Sequence, residues 1–210
     1  ISPRKPRLFR AKNIMLHSVD FYEKLHTDKT KTTFISACVV VFLFFIGQII
    51  ASLATGFIFN KNNITEFNGF FITAQSLGFV AIWVLSDTVV GSLRFGHGNV
   101  LNIFNGTAAA LIPYTATIYI NIILSHLFVY EEQGIMSIIS AIGLLYTVFL
   151  LYQSTRINQK YTVLEAVASM LLDILVAVII ILLIVIIYML VRQMFIFAAT
   201  VFQEIIYRIN

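Results

Sequence analysis

Polar and charged side chains fall in a few short clusters along this chain, and long apolar stretches run between them. An α-helix rises about 1.5 Å per residue, so about 20 apolar residues cross the roughly 30 Å hydrocarbon core of a bilayer. Five stretches meet that length, at residues 33–58, 70–89, 108–130, 135–155 and 163–191. The pattern predicts an all-α, polytopic integral membrane protein with five transmembrane helices. The first stretch is a span rather than a signal peptide: a long basic segment precedes it, its apolar part is too long, and no clean small-residue cleavage site follows.

The flanks have a different periodicity. In "NIMLHSVDFYEKL" a helix would put Ile14, Ser18, Phe21, Tyr22 and Leu25 on one face, with Asp20, Glu23 and Lys24 opposite and Asn13 as cap. Arg4, Lys5, Arg7, Arg10 and Lys12 precede it and would contact anionic lipid headgroups, at about 1 kcal/mol each. Residues 163–209 form one helical pattern about 70 Å long, more than twice a bilayer core, so the helix must bend near Arg192 or project. Past Arg192, the polar Gln193, Thr200, Glu204 and Arg208 share one face, with Glu204 and Arg208 spaced for an i,i+4 pair. The chain thus divides into a basic, amphipathic segment (1–32), a five-span domain (33–191) and a C-terminal amphipathic helix (192–210).

Composition agrees: 59% of residues are hydrophobic and 11% charged, far from the balance of a soluble domain. One cysteine, Cys38, excludes a disulfide framework and argues against a zinc site. Of the 14 Lys and Arg residues, 11 fall in segments 1–32, 90–107 and 156–162, against Lys61, Arg192 and Arg208 on the opposite side. The richer side is cytoplasmic by the positive-inside rule, which places the N-terminus inside and the C-terminus outside. The outer loops, 59–69 and 131–134, are too short for a domain, and "NIT" at 63–65 is an outward-facing glycosylation sequon.

Candidate chemistry is sparse. "RFGHGNVLNIFNGTAAALIPY" (94–114) brings glycines, asparagines, His97 and Pro113 together between two spans. A phosphate cradle would need a fuller fingerprint than one GxG and a preceding strand. The simpler expectation is a turn permitted by Gly96 and Gly98, followed by an in-plane amphipathic helix at 99–106 with Val100, Ile103, Phe104 and Thr107 on one face. Asp173 lies near mid-depth in the fifth span, where an ionisable group costs at least about 2.5 kcal/mol. Gln48, Asn121, Ser125 and His126 are candidate partners from other spans, and Asp173, His126, Asn121 and Gln48 form a possible intramembrane polar cluster. The alternative is that Asp173 is protonated or bonds a neighbouring helix. The other histidines lie outside the spans, and no hydrolase or metalloprotease motif is present. No catalytic residue, metal site, cofactor or nucleic-acid contact is assigned.

The order of motifs resembles the Yip (Ypt-interacting protein) domain family. "NIMLHSVDFYEKLHTDKTK" is similar to the family's entry segment. "WVLSDTVVGSLRFGHGNVLNIFNGTAAALIPY" resembles its Trp- and Gly-containing stretch leading to an Ala-Leu-x-Pro motif, through Trp83, Gly96, Gly98, Ile103, Ala110, Leu111, Pro113 and Tyr114. "QMFIFAATVFQEIIYR" is similar to the closing motif through Phe197, Glu204 and Arg208. The resemblance implies five spans and structural roles for Trp83, Gly96, Gly98, Pro113, Glu204 and Arg208. The basic first segment, without the acidic, proline-rich character of eukaryotic members, implies the bacterial type in a bacterial cell membrane. The function expected is a non-enzymatic scaffold or accessory subunit whose partners are other membrane subunits, such as permeases of a carbohydrate ABC-type transporter. Two rivals are a solute or ion conduit built on Asp173 and a trafficking adaptor that binds Rab-type GTPases through residues 1–32.

Overall fold

The computed structural model describes Tyr22 and residues 31–54 and 68–209; the expected helix around 13–25 apart from Tyr22, the headgroup-contacting basic residues and the sequon lie outside the described residues. Among the described residues the chain is all-helical, with five helices long and apolar enough to span a membrane. They are α1 (Lys31–Ala54), α2 (Gly69–Leu93), α3 with α4 (Val100–Ala110 and Ile112–Leu127), α5 (Gln133–Gln159) and α6 (Val163–Ile209). A 3₁₀ turn, Tyr130–Glu132, joins α4 to α5.

Local chemistry marks the helix ends. Asn68 caps α2 by accepting from the Phe71 N–H at 3.1 Å. Both α2 and α5 close through a non-glycine residue in the left-handed region, Phe95 (φ 56°) and Lys160 (φ 58°). Each is followed by a backbone N–H that reaches back five residues, Gly96 to Gly91 and Tyr161 to Arg156. Helix α6 opens with Glu165 accepting from the Thr162 N–H at 2.9 Å, half of a capping box. Between α3 and α4 the break falls at Leu111; Pro113, two residues on, has no N–H to give the helix.

Packing follows heptad-like stripes. On α1, Ala37, Val41 and Phe44 are buried, joined by Ala51, against Val80 and Val84 of α2, Ile103 and Ala108 of α3, and Ile118 of α4. A second cluster joins Trp83, Ala109, Ala110, Leu150 and Leu151 around Tyr22. Tyr22 is therefore a core residue rather than a membrane-surface one, its hydroxyl donating to the Gly106 carbonyl at 3.4 Å. Burial pushes that hydroxyl far above the usual phenol range.

The helix expected in the membrane plane at 99–106 is present as α3, but it sits inside the bundle, packed on α1, α2 and α5. Ile103 and Thr107 of its expected face are buried, and so are Asn102, Asn105, Gly106 and Ala108–Ala110 on other faces. A helix lined with small residues on several sides lets neighbouring helices approach all round it, which a one-face amphipathic pattern does not convey. The third span consequently starts near Val100 rather than 108.

A Cβ on Gly106 would overlap the Ser154 hydroxyl and crowd Asn158, whereas one on Gly78 meets nothing within 4 Å. Gly106→Val is expected to destabilise the detergent-solubilised protein by about 1–3 kcal/mol through overpacking. Gly78→Ala should be neutral or stabilising, and thermal unfolding of the two variants beside the parent makes the comparison.

Candidate functional site

The buried polar groups of this protein concentrate at the end of the bundle that carries Arg94, where α2 and α5 terminate and α6 begins. Asp87 on α2 is almost wholly buried. Its Oδ2 accepts from the Thr155 hydroxyl at 3.2 Å and its Oδ1 from the Gln159 amide at 3.0 Å. Gln159 Nε2 also donates to the Asp87 carbonyl at 3.2 Å, and its Oε1 accepts from the Gly98 N–H at 3.0 Å. The side chain of Gln159 thus ties α5 to α2 and to the 94–99 loop, using donors and acceptor together.

The glycines of the loop find their use here. The turn is present, but neither Gly96 nor Gly98 has a positive φ, and Phe95 takes the left-handed position. What they provide is space: a Cβ on Gly91, Gly96 or Gly98 would overlap the Gln159 amide. One layer away, Asn158 donates to the Asn102 carbonyl at 3.3 Å and to Ser154 at 3.2 Å, tying α5 to α3. Arg94 closes the end of the bundle, donating to the Glu165 carbonyl at 2.9 Å and lying 5.2 Å from the centre of the Tyr161 ring. Burial raises the Tyr161 hydroxyl above the usual phenol range, and the Arg94 guanidinium opposes the shift.

Asp173 is fully buried in the stripe that α6 turns toward its neighbours, with Ala166 and Ser169. Neither of its carboxylate oxygens has a hydrogen-bond partner, and the same holds for the buried Ser169 hydroxyl. The residues grouped with Asp173 from sequence lie elsewhere. Asn121 donates to Ser140 at 2.6 Å between α4 and α5, and the His126 ring lies 2.7 Å from the Ala54 carbonyl at the opposite end of the bundle. Gln48 lies half-buried on α1. Helix α6 packs on α2 and α5, while α4 packs chiefly on α1 and α5, so the four do not converge.

Among the family-motif residues, Trp83 is buried and stacks on Phe79 with ring centres 6.3 Å apart. Pro113 is buried at the start of α4. Glu204 is exposed, and the Arg208 side chain lies outside the described residues, so their i,i+4 pair does too. Sequence reasoning missed Asp87, Thr155 and Gln159. Asp87 was legible as a second acid inside an apolar run, since α2 continues to Leu93 and leaves it two turns from the helix end. Nothing in the local pattern marks Gln159, the last residue of α5, as a buried anchor.

Comparisons with protein-family models, with curated proteins and with solved structures each return no match. Any functional reading therefore starts from the chain's own arrangement.

Replacing Gln159 by Ala leaves the Gly98 N–H and Asp87 Oδ1 without their partners, with an expected loss of about 2–4 kcal/mol. Gly91→Ala alone should also destabilise, because the atoms nearest its Cβ would all be those of the Gln159 amide, whose space it needs. In the Gln159→Ala background that cost should largely vanish. A double-mutant cycle by chemical unfolding in detergent measures the coupling.

Proposed function

We propose that this chain is a non-enzymatic membrane protein of the bacterial Yip-like type, acting as a scaffold or accessory subunit of a larger membrane complex. Helix α6 carries the reading. Its apolar portion, Val163–Val201, is 39 residues long, and no residue of its most apolar window is buried among the described residues. At about 1.5 Å per residue it reaches roughly twice the bilayer core. Lipid alone accounts for about 20 of those residues; the rest is surface available to other membrane subunits.

The polar groups at the Arg94 end support the same reading. Asp87, Thr155 and Gln159 bond one another across helices, and the loop glycines are filled by a side chain, an arrangement that fixes helix geometry. The partners proposed are membrane subunits such as permeases of a carbohydrate ABC-type transporter, with the N-terminus on the cytoplasmic side.

Extraction in a mild detergent followed by mass spectrometry of what co-purifies tests the proposal. Stoichiometric membrane subunits or ATPases are expected, and truncation after Arg192 should weaken their recovery. A single, homogeneous species from native membranes would sink the accessory reading.

A further inference from the structure

The antiparallel pairing of α2 and α6 has a register that can be read from the contact at their joined ends. Arg94 at the end of α2 bonds the Glu165 carbonyl in the first turn of α6. Counting back seven residues along α2 from Arg94 reaches Asp87, and counting forward eight along α6 from Glu165 reaches Asp173. The two acids therefore lie at nearly the same depth, about 10–12 Å in from the Arg94 contact, and Asp173 is within electrostatic reach of Asp87. Both are almost fully buried.

Their surroundings differ. Asp87 receives two side-chain donors, from Thr155 and Gln159, which compensate an ionised carboxylate. Asp173 receives none. One turn back on the same stripe, the Ser169 hydroxyl is buried and has no hydrogen-bond partner either. The buried Tyr161 hydroxyl lies beside it, outside hydrogen-bond geometry. Residues four apart on a helix are neighbours on one face, so Asp173 and Ser169 share the buried stripe that α6 turns inward. The Arg94 guanidinium is engaged some two turns away with Glu165 and Tyr161, so it gives Asp173 no direct bond.

A buried carboxylate without donors is strongly disfavoured unless it takes up a proton or a cation joins it. The donor set here is oxygen only, which suits a hard cation and not a thiolate- or imidazole-seeking metal. No group of three or more His, Cys, Asp or Glu residues that could hold a metal ion occurs among the described residues, so the carboxylate-rich cage typical of calcium is not formed. Asp173 is the one acid of this pair without a donor, and a single carboxylate beside a hydroxyl suits a singly charged cation better than a divalent one, which takes more anionic ligands.

We propose that the α2–α6 interface binds a monovalent metal cation between the Asp173 carboxylate and the Ser169 hydroxyl, with the Tyr161 hydroxyl as a further oxygen donor. The ion would fasten α6 to α2 at the depth of the last buried polar residue of α6, before its long apolar run. The proposal does not depend on the accessory-subunit reading, because the isolated chain is what binds.

Sodium is the probe. The purified full chain in detergent is unfolded thermally in choline chloride, with sodium chloride substituted at constant ionic strength. Sodium should raise the unfolding temperature in a saturable manner, as ligand binding to the folded state requires. Asp173→Asn should abolish the rise, and Ser169→Ala, which is mild enough to keep the fold, should shift the midpoint concentration upward several-fold. Equilibrium binding of radioactive sodium to the parent should approach one ion per chain. Equal effects of sodium and choline on the parent protein, or an undiminished sodium effect in both variants, would overturn the site and leave Asp173 as a protonated structural group.

Discussion

A primary amide buried at the end of a membrane bundle must place its N–H groups and its oxygen on partners, because hydrocarbon offers none. Gln159 does so in one step: its oxygen takes the Gly98 N–H and its nitrogen serves Asp87 twice. That single side chain sets how closely α2, the 94–99 loop and α5 approach one another. The left-handed closures at Phe95 and Lys160 then bring the chain round on either side of it. From there Arg94 and the Thr162–Glu165 cap aim α6 along α2.

This arrangement fits the physics of helix association in lipid. Apolar side chains gain little by leaving lipid for one another, so close contact of small residues and interhelical hydrogen bonds carry much of the specificity. Gly106 against Ser154 and Asn158, and Gly143 against Thr117, are the small-residue contacts that let α5 approach α3 and α4. Asn121 with Ser140 bonds α4 to α5 farther along the bundle, and the Tyr119 hydroxyl reaches the Leu43 carbonyl of α1 at 2.9 Å. Contacts of this kind recur along the length of the bundle, so its helices are positioned at several depths.

Helix α6 stands apart from this pattern. Only its first turns, at Ala166, Ser169 and Asp173, are tightly packed. Beyond Ile180 its side chains are exposed on every face through Val201, wherever they are described. The helix is anchored at one end by polar contacts, and its described side chains from Ile181 to Val201 are exposed. That division suits an element meant to meet lipid and other subunits, and it places unusual weight on the few polar groups that fasten its base.

The chain's hydrophobic pattern determined the helical class, the five spans and the continuity of α6 through Ile209, because a bilayer admits few ways to satisfy backbone polar groups and each span must be locally apolar. It also marked Asp173, since an acid in such a run stands out by composition alone. The pattern could not say which residues meet. Asp173 lies level with Asp87 rather than near Gln48, Asn121 or His126 because the register of α2 against α6 comes from their terminal contacts, not from either sequence. The same holds for Gly91, Gly96 and Gly98: their type was visible, but their purpose depended on a glutamine some sixty residues away. In the same way, α3 lies inside the bundle instead of on its surface because small residues on several faces gain their meaning only from the helices packed against them. Local chemistry decided the elements; steric fit and polar pairing between distant residues decided the site.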